Sequence, residues 1–100
     1  MSEPIDPSAV QSALEGTAFA HLGDVLLGSY ATGDFAGAVR LLDAVAQVAE
    51  ELNHHPDVHL EYGRIEFELT SHDVGEVTAR DLDLAARIQQ LADEQGATAE

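Results

Sequence analysis

The sequence is 100 residues long, which is the size of one domain, and it carries nineteen acidic residues against four arginines, for a formal net charge of -15. The electrostatic field of so negative a protein repels phosphate backbones and anionic membranes, which argues against nucleic-acid and membrane-surface functions. The absence of cysteine excludes disulfides, thiolate metal sites and cysteine nucleophiles.

Both ends of the chain are polar and rich in small residues, and we expect flexible tails at residues 1–7 and 96–100 around a single domain. The first four residues offer neither a basic region nor an apolar run, so no signal peptide is expected. Nor does any stretch approach the roughly 18 to 20 apolar residues that span a bilayer. The sequence therefore predicts a soluble, cytoplasmic protein.

The first third of the chain predicts a short helix followed by a β-hairpin. Ser8–Glu15 can form a helix that ends at Gly16. Thr17–Leu22 and Val25–Thr32 then have the composition of two strands, and the Gly-Asp pair between them suits a hairpin turn.

A long amphipathic helix is predicted next. Asp34 can cap its N-terminus, and Pro56 requires it to end near Asn53, because proline disfavours helical geometry in the residue before it. Apolar residues recur at spacings of three and four, which predicts the buried stripe. The residues of that stripe are Phe35, Val39, Leu42, Val45, Ala49 and Leu52.

The apolar period then changes to two, which predicts a pair of half-buried strands. The apolar positions are Val58, Leu60 and Tyr62 before Gly63, and Ile65, Phe67 and Leu69 after it. Thr78 and Asp81 form a capping arrangement, and a second amphipathic helix follows to about Gln95. The order α-β-β-α-β-β-α predicts an α+β fold, with a four-stranded, mainly antiparallel sheet and helices packed on one face.

Three of the five histidines lie near the ends of predicted elements. His54 and His55 follow the long helix, and His72 follows the last strand. Loops at such positions can hold reactive side chains exposed yet positioned, and imidazole gives and takes protons near neutral pH. A carboxylate on the far ring nitrogen would fix the tautomer, and Glu50 and Asp81 are the candidates. Taken singly, each of these residues has an ordinary structural explanation, such as a histidine that complements a helix dipole.

The spacing of these residues is more specific than their number. It is Glu50-x3-His54-His55-Pro56-x5-Tyr62-x9-His72-x8-Asp81. This pattern resembles the signature of the pterin-4a-carbinolamine dehydratase family, and the resemblance extends over roughly residues 34–88. Several positioned histidines make it a strong signal, unlike a lone short motif.

The resemblance implies a hydro-lyase that removes water from a 4a-hydroxytetrahydropterin, such as 4a-hydroxytetrahydrobiopterin, in tetrahydrobiopterin recycling. It implies a small-molecule pterin substrate, no metal or organic cofactor, and a homodimer or homotetramer. It further implies that His54 and His72 are the acid–base residues and that His55 chiefly binds the substrate. Glu50 and Asp81 would support the imidazoles, and Pro56 would fix the turn that presents His54 and His55.

The sequence departs from the family where aromatic residues usually help to wall the pterin pocket. It has no tryptophan, and it carries Gly16-Thr17 and Val58 at two positions where family members often have aromatic rings. These departures keep one alternative open, a non-catalytic binding or assembly module on the same fold. A second alternative, a metal site formed by His55 and His59, is disfavoured because their spacing of four requires a helix that Pro56 interrupts.

Overall fold

Two β-hairpins and two long helices form the body of the protein in the computed structural model, which describes residues 6–100. The elements, in chain order, are α1 (Pro7–Ala13), β1 (Phe19–Leu22), β2 (Val25–Ala31), α2 (Phe35–Leu52), β3 (Asp57–Glu61), β4 (Arg64–Leu69), α3 (Ala79–Gln95) and β5 (Thr98–Ala99). The strands lie in the order β1-β2-β4-β3, and every pairing is antiparallel. The predicted α+β fold and its order of elements are confirmed.

The second hairpin differs from the prediction at its turn. Glu61 pairs with Arg64, so Tyr62 and Gly63 form the connection between β3 and β4. Val58, Leu60 and Tyr62 were predicted to form a buried face of β3, but no residue of this edge strand is buried. Val58 is 38% exposed, Leu60 is half-buried and Tyr62 is 69% exposed. The alternation of the sequence runs one step past the end of the strand because Gly63, at φ 74°, supplies the turn conformation.

The C-terminal tail also differs from the prediction. Residues 98–99 form β5, which pairs with Tyr30 and Ala31 of β2 beyond the end of β1. The side chain of Glu100 is 2.8 Å from the Arg64 guanidinium. Strand β5 is stabilised because it pairs with the part of β2 that extends beyond β1. The composition of the tail alone does not predict this pairing, because the pairing depends on how far β2 extends.

One face of the sheet carries the core. Side chains alternate between buried and half-buried along β2 and β4, and the buried ones form one cluster with residues from α1, α2 and α3. The opposite face of these strands, hereafter the uncovered face, carries Glu66 and Glu68 on β4, whose side chains are only half-buried. Helices on one face and a wet second face are the arrangement that the alternating sequence predicts.

The buried stripe of α2 is rotated from the predicted one. Phe35 and Val39 are 54% and 43% exposed, whereas Gly37 and Ala38 are buried. A Cβ on Gly37 would clash with the carbonyl oxygen of Thr32, so this end of α2 lies against the backbone. The prediction was wrong here because it weighted large apolar side chains, and the close contact selects the smallest ones.

Both predicted helix caps are present. The Asp34 side chain accepts a hydrogen bond from Gly37 N at 2.7 Å, and Thr78 and Asp81 form a reciprocal capping box at the start of α3. Among residues 6–100, no helix is both long enough and apolar enough to cross a bilayer.

Candidate active site

The end of α2 separates two neighbouring histidines. Asn53 adopts the left-handed conformation at φ 51°, and His54 N donates to Ala49 O at 3.1 Å, which closes the helix. Pro56 follows His55 and leads directly into β3. As a result His54 turns inward and is 8% exposed, while His55 is exposed.

His54 is paired with a fully buried carboxylate. Its Nε2 lies 2.6 Å from Oδ1 of Asp81, in the first turn of α3. The other oxygen, Oδ2, accepts hydrogen bonds from Ser71 Oγ at 2.8 Å and from Thr78 N at 2.9 Å. The sequence offered Asp81 as a helix cap or as a partner of an imidazole, and in the structure it is both.

His55 is paired with Glu50, in the last turn of α2. The Nε2 to Oε2 distance is 2.5 Å, and the two side chains are 53% and 76% exposed. Water competes for such a pair, so it contributes little to the free energy of folding. Its effect is to orient the His55 ring at the surface.

The three predicted histidines line one cleft of about 390 Å³. This volume lies within the range that small-molecule sites occupy, about 300 to 1,000 Å³. The lining residues are Asn53, His54, His55, Thr70, His72, Asp73 and Arg80. His72 enters from the loop after β4, so the cleft joins the end of α2, the end of β4 and the start of α3.

Arg80 is a cleft residue that the sequence analysis missed. Its Nη2 donates to Asp73 Oδ1 at 2.5 Å, and this hydrogen bond holds the pKa of the Asp73 carboxyl below its ordinary value. The guanidinium gives a strongly acidic protein a positive charge beside His72. The sequence signal for Arg80 was its position directly before Asp81. Asp81 caps the start of α3, so the residue before it also lies at the start of that helix, beside the cleft.

Four residues of the sequence pattern lie outside the lining of this cleft. Glu50 and Asp81 contact the rings of His55 and His54. Pro56 is half-buried and links His55 to β3. Tyr62 lies at the far end of β3, on the hairpin turn.

The two histidines of the alternative metal site do not meet in one pocket. His59 lies on β3 opposite Glu66, where it lines a separate hollow on the uncovered face of the sheet. Within residues 6–100, the structure contains no group of three or more histidine, aspartate or glutamate side chains that could hold a metal ion.

The fold and the cleft define a small α+β protein with paired imidazoles and carboxylates at a site open to solvent. The sequence matches the family model for pterin 4 alpha carbinolamine dehydratase over residues 3–91. Two bacterial relatives carry the curated name "Putative pterin-4-alpha-carbinolamine dehydratase". The one from Thermomicrobium roseum is 36% identical over 88% of this chain and 96% of its own length. The one from Solibacter usitatus is 38% identical over 92% and 98%. The chain belongs to the pterin 4 alpha carbinolamine dehydratase family, as the resemblance predicted.

Two solved structures share this fold. A Brucella melitensis protein described as a transcriptional coactivator/pterin dehydratase superimposes with a TM-score of 0.84 at 25% identity, over 90% of this chain and 99% of its own. A pterin dehydratase-like protein identified as a RuBisCO assembly factor in the alpha-carboxysome has a TM-score of 0.63 at 22% identity, over 80% and 93%. The second likeness shows a shared fold alone.

Proposed function

We propose that this protein removes water from a 4a-hydroxytetrahydropterin, such as 4a-hydroxytetrahydrobiopterin, to give the quinonoid dihydropterin in tetrahydropterin recycling. The observation that carries the proposal is the meeting of His54, His55 and His72 in one cleft. Membership of the family supports the same substrate class. The cleft volume suits a bicyclic ring of this size.

The reaction asks for one proton to be delivered and one to be removed. The hydroxyl at C4a leaves as water once it is protonated, and N5 loses its proton as the C=N bond forms. His54 and His72 are the proposed acid–base pair, and they approach the cleft from different elements. General acid–base catalysis of this kind contributes about 10²- to 10⁴-fold.

His55 has a different proposed role. Its ring is held by Glu50 at the exposed rim of the cleft, where it can donate or accept a hydrogen bond with the bound pterin. An interaction made equally in the ground state and the transition state changes KM and leaves kcat unchanged.

The deciding experiment mixes the purified protein with freshly generated 4a-hydroxytetrahydropterin and follows dehydration optically. We expect acceleration over buffer, lost by about 10²-fold or more in His54→Gln and His72→Ala. His59→Ala is the matched control, because that histidine lies on the other face of the sheet. A wild-type rate equal to buffer would overturn the enzymatic proposal, and a fully active His72→Ala protein would overturn the assignment of the site.

A non-catalytic assembly module is the second candidate. It is favoured by Val58, which is 38% exposed on β3 where the family often has an aromatic ring, and by the fold likeness to a protein described as a RuBisCO assembly factor. The same assay separates the two functions. A protein without activity whose folding and association are unaffected by His54→Gln and His72→Ala would favour the module.

A further inference from the structure

The Asp81 carboxylate receives more hydrogen bonds than a helix cap requires. The capping box needs only Thr78 and Asp81, which exchange their side-chain and backbone contacts at the start of α3. Two further contacts come from other elements. Ser71 Oγ donates to Oδ2 at 2.8 Å from the loop after β4, and His54 Nε2 lies 2.6 Å from Oδ1.

The hydroxyl groups at this site form a chain with one direction. Ser71 Oγ carries a single proton, and it donates that proton to Asp81. The 2.7 Å contact between Ser71 Oγ and Thr78 Oγ1 then requires Thr78 to be the donor. The hydrogen bonds run from Thr78 through Ser71 to Asp81, and each bond in such a chain strengthens the next.

The backbone of Ser71 is fixed independently of its side chain. Its N–H donates to Glu76 O at 3.2 Å, and its carbonyl accepts from Val74 N at 3.0 Å and from Gly75 N at 2.8 Å. Ser71 and Thr78 are both fully buried. The hydroxyl is therefore held at a set distance from Asp81, away from competing water.

This arrangement determines which ring nitrogen of His54 carries the proton. Oδ2 of Asp81 already has two donors, an O–H and a backbone N–H, which favours an acceptor-only carboxylate. Oδ1 then accepts from His54, so Nε2 is the donor. In the neutral ring the lone pair consequently lies on Nδ1.

We propose that Ser71 is a positioning residue that acts through Asp81 to keep His54 in the Nε2–H tautomer. This inference rests on the proposed function in one respect, the use of the Nδ1 lone pair as the base. In the reaction Nδ1 takes the N5 proton, the N5 electron pair forms the C=N bond, and the C4a–O bond breaks as protonated His72 supplies the proton that completes the departing water. Asp81 stabilises the resulting His54 imidazolium. That imidazolium then gives its proton to solvent, and solvent returns a proton to His72.

The tautomer can be measured without any substrate. Long-range ¹⁵N–¹H correlation spectra of the histidine-labelled protein distinguish Nδ1–H from Nε2–H rings, and the spectrum of His54→Gln assigns the His54 signals. We expect the Nε2–H pattern in the wild type. An Nδ1–H pattern in the wild type would overturn the inference even if the protein is an active dehydratase.

The perturbation is Ser71→Ala, with Ser71→Thr as the conservative variant that retains the hydroxyl. We expect a mixture of tautomers and a kcat about tenfold lower in Ser71→Ala, the cost of one hydrogen bond to a charged group, with KM little changed. Ser71→Thr should restore both readouts. Ser29→Ala is the matched control, since that hydroxyl lies on the uncovered face of the sheet.

The outcomes separate this inference from the proposed function. If the wild-type protein is inactive but its His54 ring is in the Nε2–H form and depends on Ser71, the dehydratase proposal is wrong and the positioning role of Ser71 stands. Wild-type kcat and an unmixed tautomer in folded Ser71→Ala would overturn the positioning role. If Ser71→Ala does not fold, the wild-type tautomer and the behaviour of Ser71→Thr decide.

Discussion

Asp81→Asn should invert the tautomer of His54 while leaving the helix cap in place. The backbone N–H of Thr78 can only donate, so the amide oxygen of the new asparagine must take the place of Oδ2. The amide nitrogen then faces Nε2 of His54, where Asp81 Oδ1 now lies at 2.6 Å. Two donors cannot meet at that distance, so the ring must present its lone pair on Nε2 and carry its proton on Nδ1.

The expected magnitudes follow from the contacts that are kept and lost. The amide oxygen retains the hydrogen bonds from Ser71 and Thr78, and the charge-assisted bond to His54 is replaced by a neutral one. The free energy of unfolding should therefore fall by only about 1 to 2 kcal/mol. The base is lost altogether, so kcat should fall by about 10²- to 10⁴-fold. The lower value alone corresponds to about 2.7 kcal/mol of activation free energy.

Urea unfolding, dehydration kinetics and ¹⁵N histidine spectra on the same samples test this reasoning. Asp83→Asn is the control, because Asp83 lies on the same helix and is exposed. If His54 switches its tautomer in Asp81→Asn while kcat stays within about twofold of the wild type, His54 is not the base. If the Nε2–H tautomer persists, the hydrogen-bond argument itself is wrong.

Three further predictions address the rim, the core and the response to pH. Glu50→Gln should raise KM for the pterin with little change in kcat, because Glu50 orients the His55 ring that is proposed to bind the substrate. The urea midpoint should change little, because this pair is exposed. A fall in kcat alone would contradict the binding role of His55. Gly28→Ala should lower the free energy of unfolding by about 1 to 3 kcal/mol, since the new Cβ would lie 2.7 Å from the ring of Phe19; an unchanged melting temperature would refute this. Burial, and to a lesser extent the charge of Asp93, raises the pKa of Tyr30 well above its ordinary value of 10.0. The stability that Tyr30 contributes is thus complete below about pH 10 and is lost as the pH rises above that value. Tyr30→Phe should therefore shift the midpoint of alkaline unfolding, followed by circular dichroism, to higher pH. Identical midpoints in the two proteins would contradict a raised pKa of Tyr30.

The sequence could predict the elements that rest on strong periodicity. The alternation from Ile65 to Leu69 specifies a strand with one buried face, and Thr78 with Asp81 specifies a helix start. The buried face of α2 was predicted less accurately. Gly37 and Ala38 are buried because this end of the helix lies close to the backbone at Thr32, and hydropathy values do not predict such a contact. Strand β5 depends on the length of a neighbouring strand, which lies far from it in the sequence.

The candidate site could be predicted as a set of residues but not as a set of pairs. Spacing placed two carboxylates near three histidines, yet it did not say which carboxylate meets which ring. The assignment depends on the left-handed turn at Asn53, which sends His54 inward and leaves His55 at the surface beside Glu50. Conformations of this kind are decided by tertiary contacts as well as by local preference.

The difference in burial between the two pairs has a consequence for how the cleft operates. His54 is held by a carboxylate that also caps α3, so its ring cannot reorient unless the first turn of that helix is disturbed. His55 is held by an exposed glutamate and can adjust to a ligand at the cost of one solvent-screened contact. Acid–base chemistry needs a ring fixed to within a fraction of an ångström, whereas binding of related pterins tolerates adjustment. The two halves of the cleft thus differ in rigidity in the direction that their proposed roles require.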